Sequence, residues 1–131
     1  MRAEAVRALN LTRSTTLCEQ IETARGLARS RGLIGRERLG QGAGMLFEAG
    51  ALEPFMMMHM FFMRFPIDIV FLDGGGRVIK VSRALKPWRI CTPVWRARTA
   101  IELASGAVLQ SRTAIGDQIV FEAHSVEPLI I

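Results

Sequence analysis

The chain has 131 residues, a formal net charge of +5, and 50% apolar against 22% charged residues. That length suits one domain with a core of its own, and the composition excludes a disordered or collagen-like chain. The surplus of cations, with a pI near 10.5, favours encounters with nucleic acid, acidic protein or anionic lipid without selecting among them.

Residues 1–13 read as a flexible arm with scattered arginines, and residues 14–131 as a single globular domain. The opening MRAEAVRALNLTRSTTLCEQ lacks the continuous apolar stretch of a secretory signal. The longest nearly uncharged run, Phe55 to Met63, falls far short of the ~20 residues a membrane helix needs. A cytoplasmic protein with no membrane span is the expectation.

From Thr16, the alternation of Leu17, Glu19 and Ile21 with Thr16, Cys18 and Gln20 predicts a short strand. Thr23 then offers a capping hydroxyl to a helix running from Ala24 to about Ser30, stopped by Gly32. Gly40, Gly42 and Gly44 punctuate a loop before Met45-Leu46-Phe47, a short buried strand, and Gly50 and Pro54 mark the next break. Pro66 cannot donate a ladder hydrogen bond, so it divides the following run at an edge or bulge. Ile67 to Leu72 is a β-branched and aromatic central strand. Asp73-Gly74-Gly75-Gly76 signals a hairpin, with Arg77 to about Leu85 as the return strand. A Pro- and Trp-containing loop spans Lys86 to about Arg96, and Thr99 to Leu103 is a further strand. Ala107 to Arg112 supplies one or two helical turns, and Gln118 to Glu122 closes the sheet. The sum is an α+β fold: a compact, mainly antiparallel, barrel-like β domain with one or two short helices.

Cys18 and Cys91 show no Cys-x-x-Cys spacing and read as two reduced thiols, with a disulfide between them left open. The run FMMMHMFFM, from Phe55 to Met63, poses the sharpest question. On a strand, Met57, His59, Phe61 and Met63 share one face and Met56, Met58, Met60 and Phe62 the other. Both rows are bulky and apolar, so both faces are expected to be covered. Thioethers and imidazole suit a soft metal, yet methionine equally fills irregular cores. With no second histidine and no cysteine in the stretch, the core reading is preferred, and neither metal nor cofactor is expected.

His59, if buried, needs a hydrogen-bond partner; its functional counterpart is a pocket shared with Met63, Arg64 and Asp68. Asp68 sits between apolar residues, where a carboxylate is costly unless paired or multiply hydrogen-bonded, so it should accept bonds from loop amides or an arginine. Glu102, between Ile101 and Leu103, is the other distinctive acid. With His59 the two acids would suit a hydrolase, but two independent structural acceptors is the preferred reading.

Arg77, Lys80, Arg83, Lys86, Arg89, Arg96 and Arg98 follow one another without an acid, interleaved with Trp88 and Trp95. Indoles can stack on bases while cations hold phosphates, although no known nucleic-acid module is present to support that use. Gly74-Gly75-Gly76 joins two strands rather than opening a helix, so it is no nucleotide cradle.

Several landmarks fall in a familiar order. Arg31-Gly32-Leu33-Ile34-Gly35-Arg36 resembles a Gly-Leu-Met-x-Arg signature, and Gly44-Met45-Leu46-Phe47 a Gly-Met-Leu-Phe strand. His59 to Asp73 is similar to a central block built on Pro-Ile-Asp, with Met60 where threonine is usual. Ile101-Glu102-Leu103 before Gly106, then Gly116-Asp117, match the C-terminal landmarks. Together they resemble the bacterial and archaeal "domain of unknown function 192" group over roughly Thr16 to Phe121. The resemblance implies a small mixed domain dominated by β structure, with no established activity. The expectation is a non-enzymatic module that binds a small polar or anionic ligand through His59, Met63, Arg64, Asp68 and Glu102, assisted by the basic segment. A nucleic-acid-binding regulator using residues 77–98 is one alternative, and a hydrolase using Asp68, Glu102 and His59 is another.

Overall fold

A computed structural model describes residues 3–25, 33–91 and 93–126. In chain order these form strands β1 (Ala3–Asn10), β2 (Thr15–Thr23), β3 (Ala43–Glu48), β4 (Phe55–Met56), β5 (Ile67–Leu72), β6 (Val78–Leu85), β7 (Val94–Trp95) and β8 (Thr99–Ala104), helix α1 (Ala107–Ser111) and strand β9 (Ile119–Val126). Seven strands make one sheet in the order β6-β5-β8-β3-β2-β1-β9, and β4 and β7 pair apart from it. Every neighbouring pair is antiparallel except β2 and β3.

The chain is thus predominantly β with a single short helix among the described residues, and the barrel-like expectation needs correcting. The sheet curls until its two edge strands approach, but among the described residues they share one β-bridge, Arg77–Gln118, with the Val78 amide bonded to the Asp117 carbonyl and the Gly116 amide to the Val78 carbonyl beside it. There the Gly76 carbonyl, on a residue at φ +83, accepts the Ile119 amide at 2.9 Å. A Cβ on Gly76 would lie 2.7 Å from the Ile119 oxygen, so only glycine permits this approach. One bridge does not close a barrel.

The N-terminal arm expected for residues 1–13 is also corrected. Residues 3–10 form β1, an interior strand paired with β2 on one side and with β9 over its whole length on the other. Alanines and charges hide a strand whose backbone is used on both edges, because tertiary pairing overrides weak β propensity. The helix expected at Ala24 to Ser30 falls mostly outside the described residues. Its proposed cap, Thr23, instead ends β2 opposite Leu46, and the Ala24 amide continues that pairing with a 2.8 Å bond to the Leu46 carbonyl.

Other expectations match. Ile67 to Leu72 is buried at every position, as a central strand covered on both faces should be. The Asp73 carboxylate accepts the Gly75 and Arg77 amides at 2.9 and 3.0 Å and so shapes the hairpin into β6. Alternation along β5 separates two cores. Val70 and Leu72 join Ala8, Leu17, Leu46, Ile101, Leu103 and Ile119 inside the curl, where Val108 of α1 plugs them. Ile67, Ile69 and Phe71 face the other way, towards Met45, Met56, Met60, Met63, Cys91 and Val94. Both cysteines are free and buried, and none of the described helices is long and apolar enough to cross a membrane.

Asp68 fixes the inner core. The register of β5 against β6 slips between Ile67 and Ile69, and Ala84, at φ 48, turns its amide onto Asp68 Oδ1 at 2.8 Å. Asp68 Oδ2 accepts the Gly106 and Val108 amides at 3.1 and 3.0 Å, which the first turn of a helix leaves unpaired. One buried carboxylate therefore ties the bulge of β6, the middle of the sheet and the start of α1. Replacing it leaves three donors without an acceptor, each costing about 1–3 kcal/mol when buried. Asp68→Ala should lower unfolding free energy by at least about 3 kcal/mol in urea titrations, with Asp68→Asn losing less because one acceptor oxygen survives. A near-neutral Asp68→Ala would show that these bonds do not hold the fold.

Candidate functional site

The residues expected to share a pocket are dispersed. Ile69 of β5 pairs with Glu102 of β8, whereas Asp68 pairs with Leu103. Directly opposed residues point to the same face, so Glu102 lies on the methionine-rich side and Asp68 inside the curl. The two carboxyls occupy opposite faces of the sheet and cannot act on one bond, which removes the hydrolase constellation. Met63 is buried in the methionine-rich core. Arg64 is exposed, with a 3.8 Å ion pair to Glu37. His59 is exposed rather than buried; its Nδ1 accepts the Phe61 amide at 3.2 Å. No group of three or more His, Cys, Asp or Glu residues among those described could hold a metal ion.

What the Phe55 to Met63 run builds instead is half of an irregular two-stranded ribbon. Phe55 and Met56 pair with Trp95 and Val94. Further along, the Cys91 amide bonds to the Met58 carbonyl at 2.9 Å, the Met60 amide to the Arg89 carbonyl at 2.7 Å, and the Trp88 amide to the Met60 carbonyl at 2.7 Å. His59 and Ile90 form a bridge between these bonds. Along the first segment the two-residue alternation holds. Met56 and Met60 are buried and Met58 is half-buried against the same core, while Met57, His59 and Phe61 face outwards. The row expected to be covered on its second side is therefore open to solvent. Alternation ends at Phe62, whose φ of 63 reverses the chain and sends Met63 inwards.

Among the described residues, half of the twelve exposed large hydrophobic ones fall on this ribbon and its turns. Phe62 and Trp95 are 64% exposed, Trp88 58%, Ile90 55%, Met57 54% and Phe61 36%. Scattered exposed apolar residues are ordinary, but a concentration on one surface marks a contact site. The rings also meet one another. Trp88 lies 4.8 Å from Phe62 and 6.3 Å from Phe61, tilted 58° and 45°. Phe61 stacks on His59 at 5.0 Å, and Trp95 leans on Phe55 at 5.1 Å. Phe62, Trp88 and Arg96 have φ values of 63, 68 and 68, a backbone state that costs a non-glycine residue about 1–3 kcal/mol. The ladder between the segments holds the rings outwards against that cost.

The basic segment divides by use. Arg77 donates to the Gly116 carbonyl at 2.8 Å. Arg98 clamps the loop before β4 through the carbonyls of Glu53 and Gly50 at 2.7 and 2.9 Å. Lys80 is half-buried on β6, and Arg83 is exposed at the bulge. Lys86 and Arg89 flank Trp88, and Arg96 follows Trp95, all three exposed. Exposed cations thus adjoin both indoles in sequence. Elsewhere a cleft of about 160 Å³ opens beside Cys18 and Gln110, well below the usual size of a small-molecule pocket. Burial pushes the Cys18 thiol up to about 11, away from thiolate chemistry.

Beneath the ribbon's own core, Glu102 is the exceptional group. It is 5% exposed, opposite Met45 and Ile69 in register, and its Oε2 has no hydrogen-bond partner among the described residues. Burial pushes this carboxyl from 4.5 up to about 7. Because the folded value lies above the unfolded one, the folded protein keeps a proton that the unfolded chain releases. Stability is therefore lost as pH rises from about 4.5 to about 7 and is level above that. Asp117 responds at lower pH: burial raises it, but bonds from Asn10, Arg13 and the Ala114 amide, with the Arg13 charge, bring it below its ordinary value. Between pH 5 and pH 8 the wild type should lose about 2.5 kcal/mol in urea titrations. Glu102→Gln should flatten that slope and be the more stable protein at pH 8; an unchanged slope would clear Glu102 of the effect.

Asn10 and Asp117 were not singled out as a pair by sequence, since nothing in their spacing shows that β1 and β9 are neighbours. Asn10 Nδ2 reaches Thr113 Oγ1 and Asp117 Oδ2, both at 3.0 Å, in a buried node at the end of the inner core.

Likeness to known proteins agrees with this geometry. Over 62 residues the chain is 45% identical to a UPF0127 protein of Pyrococcus horikoshii, covering 47% of this chain and 53% of that one. A UPF0127 protein of Thermococcus sibiricus is 40% identical over 67 residues, 51% of this chain and 43% of that one. The matched segment thus spans about half the length of these relatives. A crystal structure of a protein of unknown function from Novosphingobium aromaticivorans superposes with a TM-score of 0.75 at 22% identity, covering 88% of this chain and 83% of that one. A "putative transcription regulator" from Sinorhizobium meliloti superposes with a TM-score of 0.74 at 25% identity, covering 92% and 95%. The model of the DUF192 family, described as "Uncharacterized ACR", matches residues 10–121, and the chain belongs to that family.

Proposed function

We propose that this domain is a non-enzymatic binding module whose ligand is anionic and is taken by the outer side of the ribbon rather than by a pocket. One observation carries the reading: Phe61, Phe62 and Trp88 stand together in solvent between exposed cations. Lys86, Arg89 and Arg96 supply positive charge at both ends of that surface, in a chain whose net charge is already +5. Such an arrangement attracts an anion from a distance and gives its flat or apolar parts a place to settle. The name "putative transcription regulator" carried by the Sinorhizobium meliloti protein is in keeping with a polyanionic partner. An enzymatic reading lacks support, because Asp68 is consumed by three amides and His59 and Glu102 stand apart from it.

Retention on immobilised heparin tests the reading. Lys86→Ala/Arg89→Ala/Arg96→Ala should elute at clearly lower salt than the wild type, with affinity for the polyanion reduced by about tenfold or more. A control of equal net charge, Arg25→Ala/Arg38→Ala/Arg112→Ala, should elute close to the wild type. Equal elution of the two triple variants would mean that bulk charge, not the ribbon, binds the anion.

A further inference from the structure

Building on that reading, we infer that the anionic ligand is single-stranded nucleic acid, with unpaired bases stacking on Trp88 and its neighbours while Lys86, Arg89 and Arg96 hold phosphates. The ring geometry is the first support. Trp88 meets Phe62 and Phe61 at tilts of 58° and 45°, so neither phenyl ring lies flat on the indole. A tilted neighbour braces the indole and leaves a face of it for a further planar group. Trp88 as a whole is 58% exposed.

The second support is linear order. Trp88 and Trp95 sit at opposite ends of the ribbon strand, seven residues apart, which at roughly 3.3 Å per residue is at most about 23 Å. A strand taking about 3.4 Å or more per nucleotide would place no more than about six nucleotides between them, within the range that single-strand platforms cover. Cations lie beside each indole rather than in one block, matching a ligand that repeats base and phosphate. A duplex keeps its bases inside and cannot offer them to an outward indole, so the surface selects unpaired strands.

The backbone supplies the third support. Trp88 at φ 68 and Phe62 at φ 63 are held in a costly conformation whose effect is to keep two rings in solvent and in contact. Burying either ring would be the cheaper outcome for stability alone.

The chain contains two tryptophans and no tyrosine, and both tryptophans lie on the ribbon, so intrinsic emission reports on this surface alone. A mixed-sequence single-stranded 12-mer should quench that emission, with binding at least tenfold tighter than for the same sequence as a duplex. The slope of log K against log salt should fall by about 0.7 for each of Lys86, Arg89 and Arg96 changed to Ala. Trp88→Gly suits the left-handed backbone and removes the ring without straining the fold; it should weaken single-strand binding between about fivefold and 100-fold, the loss of one stacked base. Trp88→Phe should retain most of the affinity. If duplex and single strand bind equally and Trp88→Gly changes nothing, stacking is overturned while anion binding by the ribbon stands. Failure to bind the 12-mer, the duplex or heparin sinks both readings. Quenching by phosphatidylserine–phosphatidylcholine vesicles and not by the 12-mer replaces nucleic acid with a membrane surface.

Discussion

A strand that touches the rest of a protein on one side can bury only one of its two rows of side chains. That constraint decides the character of this molecule. The segment from Phe55 pairs with residues 88–91 and 94–95 rather than with the main sheet, so its inner row completes a core and its outer row has nothing above it among the described residues. Met56, Met58 and Met60 are suited to the inner row because unbranched thioethers adapt to an irregular surface. The outer row is apolar as well, with Met57, Phe61 and their cross-strand neighbour Ile90. A sequence shaped by solubility alone would alternate apolar with polar residues at this point. The departure from that pattern is what supports the proposal of a contact surface on the ribbon.

The main sheet supplies the rigidity behind it. Its inner core is finished by polar groups whose hydrogen bonds close locally. Asp68 takes three amides, and Asp117 takes Asn10, Arg13 and Ala114. Ser111 and Thr113 share a 2.7 Å bond beside Asn10. Buried polar groups satisfied in this way specify one arrangement of strands, since a slipped register would strand each of them without a partner. The β6 bulge, the α1 turn and the end of β1 are all set by such acceptors.

Local signals were readable where sequence neighbours settle the structure. Asp73 to Gly76 announces its hairpin, Ile67 to Leu72 its double burial, and Asp68 its need for several donors. What failed depends on partners distant in sequence. Residues 3–10 form a strand because β9, more than a hundred residues later, pairs with every position. His59 was assigned to a covered strand, but its exposure follows from which side of the ribbon meets the sheet, and alternation alone gives two rows without saying which is inside. Asp68 and Glu102 each looked like a buried acid in an apolar strand, and both are. Their placement on opposite faces follows from the register of β5 against β8, which neither segment encodes by itself. The basic segment could be seen as a run of charge, yet only the structure separates Arg77 and Arg98, bound to carbonyls, from the cations beside the indoles.

The two cores consequently differ in how firmly they are closed. Inside the curl, strands from both ends of the chain converge and polar groups are matched. Under the ribbon, the covering residues come from two-residue strands and turns, the packing is by flexible thioethers, and a carboxyl with a raised pKa faces them. Segments held by few pairings and adaptable contacts open at lower free energy than central strands. The binding surface we propose lies over this looser core, where adjusting to a ligand would leave Asp68 and the Asn10–Asp117 node undisturbed. The positive-φ rings then mark where local stability is given up for a surface fixed in advance, since a preorganised contact costs less to order when the ligand arrives.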